Sequence, residues 1–179
     1  KNLFSIKDHL LLAVSGGVDS AVLCELCNQA GFQFTIAHCN FQLRGEESER
    51  DEKFVIQLGE KYRVEVKVKK FNTKEYAEEN KISIQEAARI LRYEWFEELV
   101  TPNSQTPIPD YILTAHHADD NAETLLMNFC RGTGLHGLTG IPMRYGNVIR
   151  PLLTFSKEEL LHFAQENKLE FVEDSSNRS

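Results

Sequence analysis

Residues 9–20 read HLLLAVSGGVDS, and the passage from the apolar run to the small and acidic residues decides the fold. The unbroken apolar stretch at 10–14 suits a strand buried on both faces, since a strand wet on one side alternates instead. Two glycines then let the chain turn tightly and bring its backbone close to a ligand with no Cβ in the way. VDSAVLCELCNQ follows with helical spacing. A helix that starts there presents unpaired amide donors and the positive end of its dipole, which together cradle an anion. A plain strand-to-helix turn capped by Ser and Asp is the structural alternative.

The loop is not a Walker A sequence, because GxxxxGK[ST] requires a lysine that SGGVDS lacks, and it is not GxGxxG. Charge on a bound phosphate must be balanced otherwise, and Asp19 is placed to hold a magnesium ion that carries the phosphates. RGTGLHG at 131–137 does contain a formal GxGxxG, yet it follows the helical pattern NAETLLMNFC rather than a strand. The context for dinucleotide binding therefore fails.

Working outward, strand and helix patterns alternate along the chain. FQFTIAH (32–38), VEVKV (64–68), YILTA (111–115) and NVIRPLL (147–153) read as further strands, with VEVKV alternating as an edge strand does. Ser83 with Glu86 and Ser156 with Glu159 match capping boxes at helix starts. This order predicts an α/β fold: a mostly parallel, Rossmann-like sheet with helices on both faces, joined by right-handed crossovers. Ligands of such sheets bind at the carboxyl ends of the strands. SGGVDS, HCNFQLRG, AHHADD and the segment around Arg150 are therefore the places to look. TPNSQTPIPD (101–110) reads as a flexible insertion.

Length and composition agree with a single domain. The chain has 179 residues, 41% hydrophobic and 26% charged, and no run approaches the roughly 18 apolar residues of a membrane span. The expected location is the cytoplasm, with no membrane partner. The net charge of -7 argues against broad, nonspecific nucleic-acid binding, which rests on Lys and Arg neutralising phosphates. It leaves room for a local basic groove. Cys24 and Cys27 form a CxxC, but at helical spacing and with no second pair to complete a zinc site, so they and the remaining cysteines read as packed residues.

Two further stretches carry chemistry. In TAHHADDNAET (114–124) the carboxylates Asp119, Asp120 and Glu123 crowd the start of a helix whose apolar face is Ala122, Leu125, Leu126 and Phe129. They complement the helix dipole, bind a metal with His116 and His117, or receive a cationic group opposite the loop. In QEAARILRYEWFEEL (85–99) the buried stripe is Ile84, Ala88, Leu91, Trp95 and Leu99, which leaves Arg89 and Arg92 outside the core. Exposed ion pairs with Glu86 or Glu94 are the simple reading of both arginines.

Taken together, SGGVDS, AHCNFQLRGEES, AARILRYEWF, TAHHADDNAETLLMNFCRGTGLHGLTGIP, IRPLL and EDSSN resemble the tRNA(Ile)-lysidine synthetase family of PP-loop ATP pyrophosphatases. The likeness runs from about residue 9 to residue 177. It implies an ATP- and magnesium-dependent ligase that adenylates carbon 2 of the wobble cytidine in an isoleucine tRNA with a CAU anticodon. Free lysine then displaces AMP, giving lysidine. By the same resemblance Ser15, Gly16, Gly17, Val18, Asp19 and Ser20 hold ATP, Asp19 holds its magnesium, and His38 lies near the adenosine. Asp120 and Glu123 receive the lysine amine, while Arg89, Arg92 and His116 steady the cytosine and the developing charge. The resemblance makes residues 1–179 the catalytic domain, with the family's C-terminal tRNA-binding domains outside it, so weak tRNA binding by this part alone is expected. Other PP-loop enzymes, such as tRNA thiolases or amidotransferase-type synthetases, and a nucleotide sensor without catalysis are the alternatives. Oligomeric state is open, a dimer included.

Overall fold

The computed structural model describes residues 3–101, 108–132 and 139–173. Its elements run β1 (His9–Ala13), α1 (Val18–Gln29), β2 (Gln33–Asn40), α2 (Glu46–Tyr62), β3 (Val66–Lys70), α3 (Thr73–Asn80), α4 (Ile84–Val100), β4 (Tyr111–Thr114), α5 (Ala118–Cys130), β5 (Arg144–Tyr145), β6 (Val148–Ile149) and α6 (Lys157–Glu166). The six strands form one sheet in the order β3-β2-β1-β4-β6-β5. All pairings are parallel except that of β5 with β6. The expected fold is therefore the observed one.

β1 sits between β2 and β4, and Leu10, Leu11 and Leu12 are all 0% exposed, as an apolar run with no polar side demands. One face of the sheet packs against α1, α2 and α6, where Leu10, Leu12, Val22, Ile36, Val55 and Leu160 meet. On the other face Leu11, Ala37, Phe71, Trp95, Phe96 and Ile112 join the sheet to α4. β3 is the edge strand the alternation suggested, shifted two residues along the chain to 66–70.

Several local expectations change. The strand foreseen over 147–153 shrinks to β6, preceded by the short antiparallel β5, and residues 151–155 leave the sheet as turns. Pro151 has no N–H to donate to a ladder, yet Leu152 and Leu153 remain buried beneath the turns. On α4 the buried residues are Ala87, Trp95 and Phe96, with Leu91 and Leu99 packed beside them, while Ile84 at the helix start is 45% exposed. On α5 no residue is fully buried: of its apolar face Leu125 is partly covered, while Leu126 is 65% and Phe129 73% exposed. Ser156 and Glu159 make the full capping box, whereas at Ser83 the side chain accepts from the Glu86 amide. Most of 101–110 and of RGTGLHG lies outside the described residues. Among the described residues no helix is long and apolar enough to cross a membrane.

Candidate active site

Three loops at the carboxyl ends of β1, β2 and β4 surround one cavity of about 210 Å³, lined by Ser15, Asp19, Ser20, Phe41, Arg92, Thr114, His116 and Asp120 among others. A larger cavity of about 460 Å³ shares Cys39, Phe41 and Arg92 with it and opens between α2 and α4. This is the position that the topology of open parallel sheets assigns to ligands.

The SGGVDS loop is built around its serines. Ser20 Oγ accepts from the Gly16 amide at 3.2 Å and donates to the Gly17 carbonyl at 2.9 Å, while Ser15 Oγ accepts from the Gly17 amide at 3.3 Å. Gly16 stands at φ +100°, a conformation side chains disfavour, and a Cβ there would press on Phe54. Both glycine carbonyls are committed elsewhere: that of Gly16 accepts from the Val172 amide, and that of Gly17 accepts within α1 from Ala21. The Gly16 and Gly17 amides are held by the serine hydroxyls, so the donors left for a ligand are the first-turn amides of α1, which have no intrahelical acceptor.

Asp19 projects from that first turn. Both of its carboxylate oxygens accept from Lys157 Nζ at 2.7 Å, and His117 Nε2 lies 3.8 Å away. Lys157 is the first residue of α6, and its backbone amide donates to Asp119 Oδ2 at 2.7 Å; next to it the Ala118 amide donates to the Phe155 carbonyl at 2.8 Å. The N-termini of α1, α5 and α6 are thus tied together around one ion pair. Lys157 was not foreseen. Its signal in the sequence is a cation in the first turn of a capped helix, where the dipole disfavours it unless a carboxylate compensates.

The histidines of AHHADD divide the work. His117 is buried and caps α5: its ring accepts from the Asp120 amide, and Asp120 Oδ2 accepts from the His117 amide at 2.8 Å. That box holds the Asp120 carboxylate on the cavity rim. His116 Nδ1 lies 2.8 Å from Thr114 Oγ1. Burial lowers its pKa; Asp120 opposes the effect, and the guanidiniums of Arg150, Arg92 and Arg89 reinforce it, so a neutral imidazole faces the cavity. Among the described residues no group of three or more His, Cys, Asp or Glu is arranged to hold a metal by itself.

Arg92 enters the cavity with its guanidinium over the Phe41 ring at 5.3 Å, and Phe41 stacks on Phe71 at 5.6 Å. A cation held over an aromatic face is oriented at small entropic cost. Arg89 lies 5.5 Å over Tyr93 and lines a neighbouring groove rather than this cavity. Glu123 stands exposed nearly one turn beyond Asp120, outside the lining. His38 is 4% exposed and shares a hydrogen bond of 2.8 Å with the Val14 carbonyl on the α2 side of the sheet; burial lowers its pKa. The structure thus brings Ser15, Asp19, Ser20, Arg92, His116 and Asp120 together, with Gly16, Gly17 and Val18 forming the turn beneath them. Arg89, Glu123 and His38 stand around the edge.

Of the cysteines, Cys24 and Cys27 are buried as expected, and burial pushes the Cys27 thiol up to about 12 and that of Cys24 higher still. Cys39 lines the cavity, and burial raises its pKa to about 12 despite Arg92 and Lys69 nearby. Cys130 departs from the expectation of packing and is exposed.

Magnesium keeps several of its waters and needs only one or two protein carboxylates beside substrate phosphates. Asp19 on the cavity wall, in the first turn of α1, meets that requirement. The ammonium held by both Asp19 oxygens shows that the position already favours a cation.

Comparison with known proteins fits this geometry. A model of the PP-loop domain matches residues 1–179. A tRNA(Ile)-lysidine synthase of Bacteroides thetaiotaomicron is 48% identical over 99% of this chain and 41% of its own length. One of Chlorobaculum tepidum is 42% identical over 95% of this chain and 51% of its own. The chain thus spans about two-fifths to one half of these relatives. Among solved structures, the U34-tRNA thiolase NcsA of Methanococcus maripaludis superposes with a TM-score of 0.72 at 19% identity, covering 93% of this chain and 59% of that one. An NH3-dependent NAD synthetase of Campylobacter jejuni superposes with a TM-score of 0.61 at 17% identity, covering 92% and 66%. At such identities the superpositions speak for the fold alone. The family match over residues 1–179 places this chain in the PP-loop domain family.

Proposed function

We propose that this chain is the ATP-activating catalytic part of a tRNA(Ile)-lysidine synthase. The observation that carries the reading is the convergence, on one cavity, of the SGGVDS loop with Arg92, His116 and Asp120. A loop that grips polyphosphate needs only donors; an anionic group and a guanidinium facing it across the same cavity provide for a cationic nucleophile and an electron-rich base. The relatives that carry the lysidine synthase name match the chain over both halves of this arrangement.

In the first step O2 of the wobble cytosine attacks the α-phosphorus of ATP, and pyrophosphate leaves with the electron pair of the broken P–O bond. The amides at the start of α1, with Ser15 and Ser20, bind the phosphates, and Asp19 holds the magnesium that neutralises them. Arg92, fixed over Phe41, and neutral His116 orient the base. Preorganised charge of this kind supplies most of the rate enhancement in phosphoryl transfer. A cytosine carbonyl is a poor electrophile until its oxygen becomes part of a leaving group, and the adenylate provides that. In the second step the lysine amine attacks C2, AMP departs with O2, and the amine gives up a proton. Asp120 receives the ammonium group of lysine, Glu123 adds negative potential from the next turn, and the neutral His116 imidazole at the cavity accepts a proton. His38 stiffens the end of β2 beneath the adenosine. Lysidine formation needs no thiolate, and Cys39, held protonated on the cavity wall, fits that reading better than sulfur transfer. Isoleucine tRNA with a CAU anticodon, free lysine and ATP are the substrates, in the cytoplasm; contacts to the rest of the tRNA are made outside this domain.

The test uses the full-length protein with ATP, magnesium and lysine, with and without the CAU isoleucine transcript. AMP release that requires both lysine and tRNA is expected. AMP formed without tRNA, or none with it, overturns the reading.

A further inference from the structure

Beside the central cavity, α4 and the β5–β6 hairpin enclose a groove of about 490 Å³ lined by Arg89, Tyr93, Glu97, Tyr145, Asn147 and Arg150 among others. Arg89, Tyr93 and Glu97 recur every four residues and so share one face of α4. Arg92 belongs to the adjoining face and reaches the central cavity instead. The two spaces are thus neighbours across one helix, and the charges of Arg89 and Arg150 are felt at His116.

The groove has the features of a single-strand RNA subsite. Tyr145 is 75% exposed on a hairpin turned by Gly146 at φ +57°, and the hairpin is fixed to the sheet through the Ile112 amide and the Asn147 carbonyl at 2.9 Å. An exposed aromatic ring on an anchored hairpin is a stacking platform for a base, and arginines beside it suit a phosphodiester. Arg150 is only 7% exposed; its Nη1 donates to the Pro142 carbonyl at 2.8 Å, while its buried Nε has no partner. A guanidinium enclosed with so few acceptors leaves positive charge uncompensated, which an anion at the groove mouth offsets. Glu97 is the carboxylate of the lining, against the two guanidiniums.

Building on the lysidine synthase reading, we propose that this groove holds the nucleotide adjacent to the target cytidine, its base on Tyr145 and its phosphate at Arg89, with Arg150 as fixed positive background. Such a subsite would keep the wobble base turned out into the central cavity, because it retains the neighbour that would otherwise stack on it.

The experiment measures binding of a synthetic CAU anticodon stem-loop by the full-length protein, and separately its binding of magnesium ATP. Tyr145→Ala is expected to weaken stem-loop binding about 5- to 100-fold, with Tyr145→Phe within about 2-fold of wild type and ATP affinity unchanged in both. Arg89→Ala should lower the salt slope of RNA binding by about one counterion. An abasic site next to the target cytidine should abolish the Tyr145→Ala effect. Unchanged stem-loop affinity of Tyr145→Ala, or a loss that falls on ATP instead, overturns the proposal while leaving lysidine synthesis intact. A wild-type protein that makes no lysine- and tRNA-dependent AMP removes the parent reading, and this one with it.

Discussion

Replacing Asp19 by Asn separates the two roles that the structure gives this residue. The side chain keeps its shape and an acceptor for Lys157, but the charge is lost. At the observed 2.7 Å two unit charges attract by about 1.5 kcal/mol in bulk water and about 6 kcal/mol at an effective dielectric near 20. Ordering a lysine side chain costs about 2 kcal/mol, and withdrawing both charges partly from water costs several more. With Asp19 and Lys157 side chains still 25% and 35% exposed, the net contribution of the pair is about 1–2 kcal/mol, which for a domain of this size is a fall of about 2–8 °C in melting temperature. The effect on ligand binding should be larger and conditional. Wild-type protein should bind ATP far more tightly with magnesium than without it. In Asp19→Asn that gain should vanish, while metal-free ATP, facing a Lys157 no longer neutralised, binds no worse than to wild type. Calorimetric titration of ATP with magnesium or with EDTA reads both. An Asp19→Asn protein that keeps the full magnesium-dependent gain would refute the assignment of Asp19 to the metal and the loop to the phosphates.

Other outcomes follow from the same geometry. Asp120→Asn should leave tRNA-dependent pyrophosphate release within a few-fold but raise the KM for lysine at least 10-fold, and Glu123→Gln, farther from the cavity, should act in the same direction more weakly; equal loss of both half-reactions contradicts this division. His38 and His116 are both held below their ordinary pKa by burial. The unfolded chain therefore takes up protons first as pH falls below about 6.5, and stability should decline from there toward lower pH. Urea unfolding at pH 7.5 and 5.5 should show that loss, reduced in His38→Gln. Gly59→Ala would place a methyl group into Val66 Cγ2 where α2 crosses β3 and should destabilise the fold by about 1–3 kcal/mol without changing magnesium ATP affinity, as thermal melts and titrations would report.

Much of this protein is legible in its sequence because its signals are local. An apolar run with no alternation can only be a strand buried on both sides, and Leu10, Leu11 and Leu12 are fully enclosed at the sheet centre. Glycines ahead of VDSAVL mark a strand-to-helix turn, and alternation marks β3 as an edge. The lining of the cavity by Ser15, Asp19, Ser20, His116 and Asp120 follows from the rule that such sheets use the carboxyl ends of their strands.

What required the tertiary structure is whatever depends on residues far apart in the chain. Nothing near position 19 announces that its counterion is 138 residues away, and nothing in α4 tells that Arg92 faces the loop while Arg89 faces the β5–β6 hairpin. Helical periodicity gives the angle between side chains on one helix but not what stands opposite each of them. It therefore grouped Ala122, Leu125, Leu126 and Phe129 on one face of α5 without telling that the fold leaves Leu126 and Phe129 exposed. The sequence by itself determined the sheet and the phosphate loop, because backbone preference and burial act over a few residues; the packing of three helix N-termini against one another decided which charges meet, because Coulomb energies depend on distance in space.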